Sequence, residues 1–275
     1  MNYEYYGKDE IRIYSIDEFD PKHVFDCGQV FRYRNDGDCH TIISKDKICL
    51  LQKTDSCVIM KTEDREYFRK YFVLDTDYGE IKRELLRFDG LKEAVGFGKG
   101  IRILKQDPFE TIISFIVSAN NNIPRIKGIL ERICVALGEK KDGFYAFPTP
   151  ERMAEADAVL YKSVGAGYRA EYLAETSKKL VGFDYGIIEK SSTDEARKIL
   201  TSFKGVGNKV ADCILLFAFG KTDLFPMDTW TKKIYRILGF PEENDPKKMA
   251  ERLVDRFGAL AGYAQQYLYY YYREK

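Results

Sequence analysis

The stretch Phe203-Lys-Gly-Val-Gly-Asn-Lys-Val-Ala-Asp212 constrains this chain more than any other. Residues Thr193–Leu200 read as a helix that runs into Gly205-Val206-Gly207, and a new helix begins near Asn208. Two glycines let the backbone turn sharply and approach another molecule closely. The second helix presents free N–H groups in its first turn, a ready site for phosphate. The same glycines also fit a tight corner between two packed helices, so the hairpin acquires meaning only from its neighbours.

Lys209 lies in the first turn of the second helix, two residues after Gly207. Nineteen residues later, Phe225-Pro-Met-Asp228-Thr-Trp places Asp228 as the N-cap of another helix. The helix dipole and partial burial both disfavour the charged form of such a lysine. A depressed amine is what nucleophilic attack requires. Taken singly, Lys209 also fits a solvated lysine and Asp228 an ordinary cap.

Composition removes other classes of chemistry. Of 275 residues, 45% are hydrophobic and 32% charged, a globular balance unlike that of disordered or fibrous chains. The apolar runs Thr111–Ala119 and Ala211–Gly220 are about half the ~20 residues that span a bilayer, so no membrane partner is expected. Met1-Asn2-Tyr3-Glu4 does not open a signal peptide, which makes the cytosol the expected compartment. Cysteines 27, 39, 49, 57, 134 and 213 include no close pair and read as reduced thiols, not a zinc site or disulfide framework. His23 and His40 are the only histidines, which argues against a Ser-His-Asp triad or a multi-histidine metal site. Chemistry then falls to Lys, Asp, Glu or Cys. Net charge is +1, but residues 1–100 carry 17 basic and 20 acidic groups and residues 101–275 carry 27 and 23. That bias permits a phosphate partner without demonstrating one.

The chain changes character near residue 104. Before it, the short apolar runs Thr41–Ser44, Ile48–Leu51 and Cys57–Met60, separated by turn residues such as Asn35-Asp36-Gly37-Asp38, predict an antiparallel sheet. Glu80–Phe88 follows as a helix with Ile81, Leu85 and Phe88 on one face. After it, Asp107-Pro108 starts a helix running to Ala119. Ile123–Leu137, Glu171–Val181, Thr193–Phe203, Lys209–Phe219, Pro246–Phe257 and Tyr263–Tyr272 continue the series. The expected class is α+β: an antiparallel-sheet domain over residues 1–104, then an all-helical domain over residues 105–275.

Hairpin, lysine and aspartate together resemble the helix-hairpin-helix DNA glycosylase superfamily, whose hairpin grips a DNA backbone without reading bases. The resemblance implies that Lys209 attacks C1′ of a damaged nucleotide and that Asp228 stabilises positive charge on the sugar and orients the lysine. Five further segments resemble the 8-oxoguanine DNA glycosylase/AP lyases of eukaryotic type. They are Cys27-Gly-Gln-Val-Phe-Arg-Tyr33, Gln106-Asp-Pro108, Ser118-Ala-Asn-Asn-Asn-Ile-Pro-Arg125, Gly165-Ala-Gly-Tyr-Arg-Ala170 and Ala261-Gly-Tyr-Ala-Gln-Gln266. With the hairpin they run in order from about residue 24 to 270.

That branch implies excision of 8-oxoguanine opposite cytosine from double-stranded DNA, followed by β-elimination, with no cofactor and no metal. Gln265 would bond the Watson–Crick edge of the flipped base, and Tyr269 would stack on its ring, although Tyr269 also fits a core aromatic. Gly28 would offer a carbonyl to N7–H, which normal guanine lacks, although it also fits a plain turn glycine. Cys213, on one helical face with Lys209, would lie against the base and form with the lysine a dipole opposing normal guanine; Pro226 would line the same pocket. Asn120 would fill the vacated stack, Tyr168 would wedge beside the orphaned cytosine, and Arg125 with Arg169 would bond it. Gly205, Gly207 and Val210 would meet DNA phosphate. A monomer is expected, nucleoid-associated in a bacterium or nuclear in a eukaryote.

Two positions depart from the pattern: Trp230 replaces a phosphate-contacting histidine, and Lys204 replaces the hairpin proline, where it could add a phosphate contact. The last cysteine, Cys213, leaves no room for the C-terminal iron–sulfur signature of related branches, and Lys209 argues against the alkyladenine branch. Two alternatives stay open: another oxidised base on the same fold, or a DNA-binding scaffold without catalysis.

Overall fold

The computed structural model describes residues 1–275. One antiparallel six-stranded sheet organises the first part, in the spatial order Tyr3–Tyr6, Glu10–Ile13, Val58–Lys61, Lys47–Lys53, Cys39–Ser44 and Tyr33–Asp36. Three of these strands lie on the three predicted apolar runs. Alternation sends Ile11, Ile13, Ile42, Cys49, Leu51, Val58 and Met60 to one buried face, covered by Phe19, Phe25, Phe68 and Phe72. All six cysteines are free thiols.

The rest is helical. Asp107 accepts the Glu110 N–H at 2.9 Å and Pro108 opens the turn, so the helix Pro108–Ser118 starts where the sequence predicts. Residues Phe109–Val117 are all buried, which makes this the central helix of the lobe. It packs against Asn208–Phe219, the helix that follows the hairpin, and against Ile123–Leu137 and Arg169–Leu180. The fold is α+β as expected. No helix is long and apolar enough to cross a membrane.

Packing does not follow the order of the chain. A second core joins Cys27, Leu85, Leu91, Val95 and Ile101 to Phe225, Ile234, Leu253, Ala264, Tyr267 and Leu268. The helix Ala261–Glu274 therefore docks on segments that precede residue 104. The sheet and the helices are also tied by a buried ion pair: Arg32 lies 3.3 Å from Glu110 and donates to the Tyr145 carbonyl at 2.5 Å. Glu110 also accepts the Lys45 N–H at 2.7 Å. Removing one partner strands a buried charge, which costs about 3–5 kcal/mol. Arg32→Met is therefore expected to lower unfolding stability by about that amount in urea titration. A loss under 1 kcal/mol would show that the pair does not join the two parts.

Candidate active site

The helix Asn208–Phe219 begins at Gly207, and no side chain caps it. The N–H groups of Asn208, Lys209 and Val210 thus have no protein acceptor. Gly205 has φ +86°, and a Cβ there would lie 2.7 Å from the Tyr172 ring, so the turn requires glycine. Val210 turns its side chain into the core and leaves only its backbone N–H to the hairpin. Lys204 is ion-paired with Glu175.

Lys209 and Cys213, one turn apart, enter a pocket with Cys27, Gly28, Phe115, Phe217, Pro226, Asp228, Gln265, Gln266 and Tyr269. The Lys209 ammonium stands 5.7 Å from the centroid of the Phe115 ring. Asp228 caps the helix Thr229–Ile237, its Oδ1 accepting the N–H groups of Trp230 and Thr231, each at 2.9 Å. That cap fixes the carboxylate at the pocket wall and leaves Oδ2 unbonded. Trp230 lies beneath Lys233, whose ammonium sits 4.4 Å from its ring centroid.

Charge in this pocket differs from the sequence expectation. Cys213 holds the Lys209 ammonium above the ordinary lysine value; burial opposes it, and Asp228 adds to it. Burial pushes the Cys213 thiol up to about 11. The pocket therefore holds an ammonium beside a thiol, not a free amine. Burial disfavours the charge, but the Cys213 sulfur and the Asp228 carboxylate outweigh it.

The opposite wall carries two unpaired acceptors. Gln265 is 6% exposed and its Oε1 has no partner. The Gly28 carbonyl accepts no hydrogen bond. Gly28 has φ +83°, and a Cβ on it would meet Tyr269 Cε1 at 3.2 Å and Arg273 Nη1 at 2.8 Å. Tyr269 thus presses on Gly28, and the cavity is only about 40 Å³, room for a few waters but no purine. A wider cavity of about 430 Å³ opens elsewhere, beside Lys45, Lys105 and Asp107. It has no chemistry like that of Lys209: Lys45 pairs with Asp107 at 3.5 Å and Lys105 with Glu189 at 4.0 Å.

The second group of expected residues gathers on a separate patch. Asn120 is exposed and left-handed at φ +50°, Tyr168 is 52% exposed, and Arg125 is exposed without a partner. Arg169 is placed differently from the expectation. It is 2% exposed and binds the Ala119 carbonyl through Nε at 2.8 Å and through Nη2, the Asn120 carbonyl at 2.8 Å and the Ala166 carbonyl at 3.4 Å. Tyr168 Oη reaches the same Ala119 carbonyl at 3.2 Å. Arg169 therefore clamps the left-handed Asn120 turn beside Tyr168, and its donors face protein. Phe115, Phe217 and Gln266 were not legible as pocket residues: a phenylalanine in an apolar helix reads as core, and Gln266 hides beside Gln265.

Comparison with known proteins fits this geometry. The family described as 8-oxoguanine DNA glycosylase, N-terminal domain, matches residues 12–112, and the HhH-GPD superfamily of base excision DNA repair proteins matches residues 113–258. The chain belongs to that superfamily and, within it, to the 8-oxoguanine DNA glycosylase family. It is 30% identical over 277 residues to the N-glycosylase/DNA lyase of Arabidopsis thaliana, covering 90% of this chain and 75% of that one. A probable N-glycosylase/DNA lyase of Methanothermobacter thermautotrophicus is 35% identical over 196 residues, and the match spans 62% of this chain and 63% of that protein. The 8-oxoguanine glycosylase/lyase of Clostridium acetobutylicum, solved with double-stranded DNA containing cytosine opposite 8-oxoguanine, superposes with a TM-score of 0.93 at 39% identity. That match covers 100% of this chain and 98% of that one.

The charge state sets a pH dependence. Only the free amine is a nucleophile, so its fraction falls roughly tenfold for each pH unit below the amine's pKa. Base release should therefore climb with pH through the neutral range. Asp228→Asn removes the permanent anion among the causes that raise the Lys209 pKa, so the rising limb should move to lower pH in single-turnover profiles. A limb that stays put or moves up would contradict this electrostatic account.

Proposed function

We propose that this protein is a bifunctional DNA glycosylase/AP lyase that releases 8-oxoguanine opposite cytosine and then cuts the strand by β-elimination. The observation that carries the reading is the lysine facing two unpaired acceptors, Gln265 Oε1 and the Gly28 carbonyl. 8-Oxoguanine offers donors on both edges: N1–H and the exocyclic amine on one, N7–H on the other. Normal guanine has a lone pair at N7, which the Gly28 carbonyl repels.

A base inside a duplex is out of reach, so the nucleotide must leave the stack. Its entry requires Tyr269 to swing off Gly28 and stack on the base. Lys209 Nζ then attacks C1′ and the base departs. The Asp228 carboxylate stabilises the positive charge that develops on the sugar. Loss of a proton from the lysine nitrogen and cleavage of C1′–O4′, with O4′ protonated, open the sugar and leave the lysine as a protonated Schiff base; this makes the C2′ proton acidic, and its loss expels the 3′ phosphate. The uncapped N–H groups after Gly205 and Gly207, including that of Val210, hold a backbone phosphate. Asn120 and Tyr168 occupy the opened duplex, and Arg125 is the unpartnered guanidinium that meets cytosine. The protein works as a monomer, in the cytosol on a bacterial nucleoid or in a nucleus.

Borohydride trapping on an 8-oxoguanine:cytosine duplex tests the reaction. Lys209→Gln should bind damaged DNA yet lose base release and the trapped adduct; a persisting adduct would remove Lys209 from its role. Asp228→Asn should impair the reaction less. Opposite-base preference tests Arg125: a good contact to a base edge is worth roughly 1–3 kcal/mol, so 8-oxoguanine:cytosine should react about 10-fold faster than 8-oxoguanine:adenine. Arg125→Ala should erase most of that ratio, and an unchanged ratio would reassign the contact.

A further inference from the structure

Asp26 to Gln29 present four consecutive peptide carbonyls, and side chains from distant segments take up three. Arg273 Nη2 donates to the Asp26 carbonyl. Gln266 Nε2 donates to the Cys27 carbonyl at 2.6 Å. Gln106 Nε2 donates to the Gln29 carbonyl at 2.8 Å. The Gly28 carbonyl alone is left over. The Gln29 side chain, fully buried, binds the Val24 and Arg102 carbonyls and accepts the Leu104 N–H, which fixes the segment from behind.

Gln266 and Arg273 lie on Ala261–Glu274, the helix that also carries Gln265 and Tyr269. Neighbours on a helix point roughly 100° apart. Gln265 therefore faces the pocket while Gln266, 1% exposed, faces the Cys27 peptide. Arg273 touches both sides of the slot: it holds the Asp26 carbonyl, and its Nη1 lies 3.5 Å from Tyr269 Oη.

We propose that Gln266 and Arg273 are positioning residues for lesion recognition, fixing the Gly28 carbonyl at a set distance from Gln265. The proposal rests on the Gly28 reading above. A purine is a rigid plate, and its two reading edges lie on opposite sides of the fused ring. Both contacts form together only if the spacing between the two protein acceptors matches that plate, since hydrogen bonds weaken steeply with poor geometry. One helix carries one acceptor and ties down the peptide that carries the other. A buried glutamine spent on a backbone carbonyl suits that task, where a leucine would fill the space as well.

The test measures binding to duplexes carrying 8-oxoguanine or 7-deaza-8-oxoguanine, which lacks the N7 nitrogen. A 2′-fluoro sugar, which destabilises positive charge at C1′, suppresses base release. Strand cleavage at a preformed abasic site, which involves no base contact, is measured in parallel. The unaltered protein should prefer the lesion by about 10-fold or more. Gln266→Leu keeps the volume, removes the donor, and should cut that preference to about 3-fold or less, with base release falling more than abasic cleavage. Arg273→Met should shift the preference in the same direction, and Arg273→Lys, which keeps a donor, should recover part of it. An unchanged preference in Gln266→Leu and Arg273→Met overturns the proposal. So does an equal loss of base release and abasic cleavage, the mark of a general structural defect. If the unaltered protein shows no preference, the Gly28 reading falls and takes this proposal with it.

Discussion

A fully buried guanidinium at Arg102 holds the architecture on which the rest depends. It donates to the carbonyls of Phe72 at 3.0 Å, Val73 at 2.5 Å, Thr76 at 2.9 Å and Glu18 at 3.3 Å, and lies 4.1 Å from the Tyr78 ring centroid. Burying a charge is costly unless its hydrogen bonds are met, and here backbone carbonyls meet them in place of a carboxylate. Val73, a β-branched residue held at φ +48°, lies under this clamp. Arg102 in turn lends its own carbonyl to Gln29, one residue from Gly28. The floor of the pocket is thus secured through a charge far from any reacting atom.

The two working regions are built on different principles. The pocket wall at Gly28 is preset, with neighbouring carbonyls already bonded and one left open. On the lysine side, the ammonium lies beside the Cys213 sulfur and the Asp228 carboxylate, which hold it above the ordinary lysine value. Recognition is rigid and chemistry waits on entry of the base, since the slot closed by Tyr269 holds no purine. On the Asn120 patch, the Arg169 donors are taken up by protein carbonyls. The guanidinium gives three carbonyls the donors they need and keeps an asparagine in a left-handed turn.

Much of this was legible in the sequence. The hairpin, the Asp228 cap and the helix Pro108–Ser118 are written in local chemistry: glycines at a turn, an aspartate before a helix, proline in a first turn. The three central strands carry enough alternation to be seen. Tyr3–Tyr6 and Tyr33–Asp36 do not, because as edge strands of four residues they are half exposed. Short helices such as Lys92–Phe97 and Pro150–Glu155 lack a long apolar period and depend on tertiary packing. Arg169 and Gln266 show the deeper limit. Residue type and spacing indicate that a guanidinium or amide is present, but whether its donors face solvent or a carbonyl far along the chain is decided by packing.

The shared core of early and late segments has a consequence for how the protein comes into being. Gly28 leaves the ribosome long before Gln265, and the helix Ala261–Glu274 must dock on residues synthesised more than two hundred positions earlier. Domains generally form in the order of synthesis, so a growing chain can assemble its sheet, its hairpin and even Lys209 while half the pocket is missing. Such a chain lacks the helix that carries Gln265 and Tyr269 and the side chains that bond the Asp26 and Cys27 carbonyls. Because this wall of the pocket is placed on Ala261–Glu274, the pocket is completed only after those residues have been made.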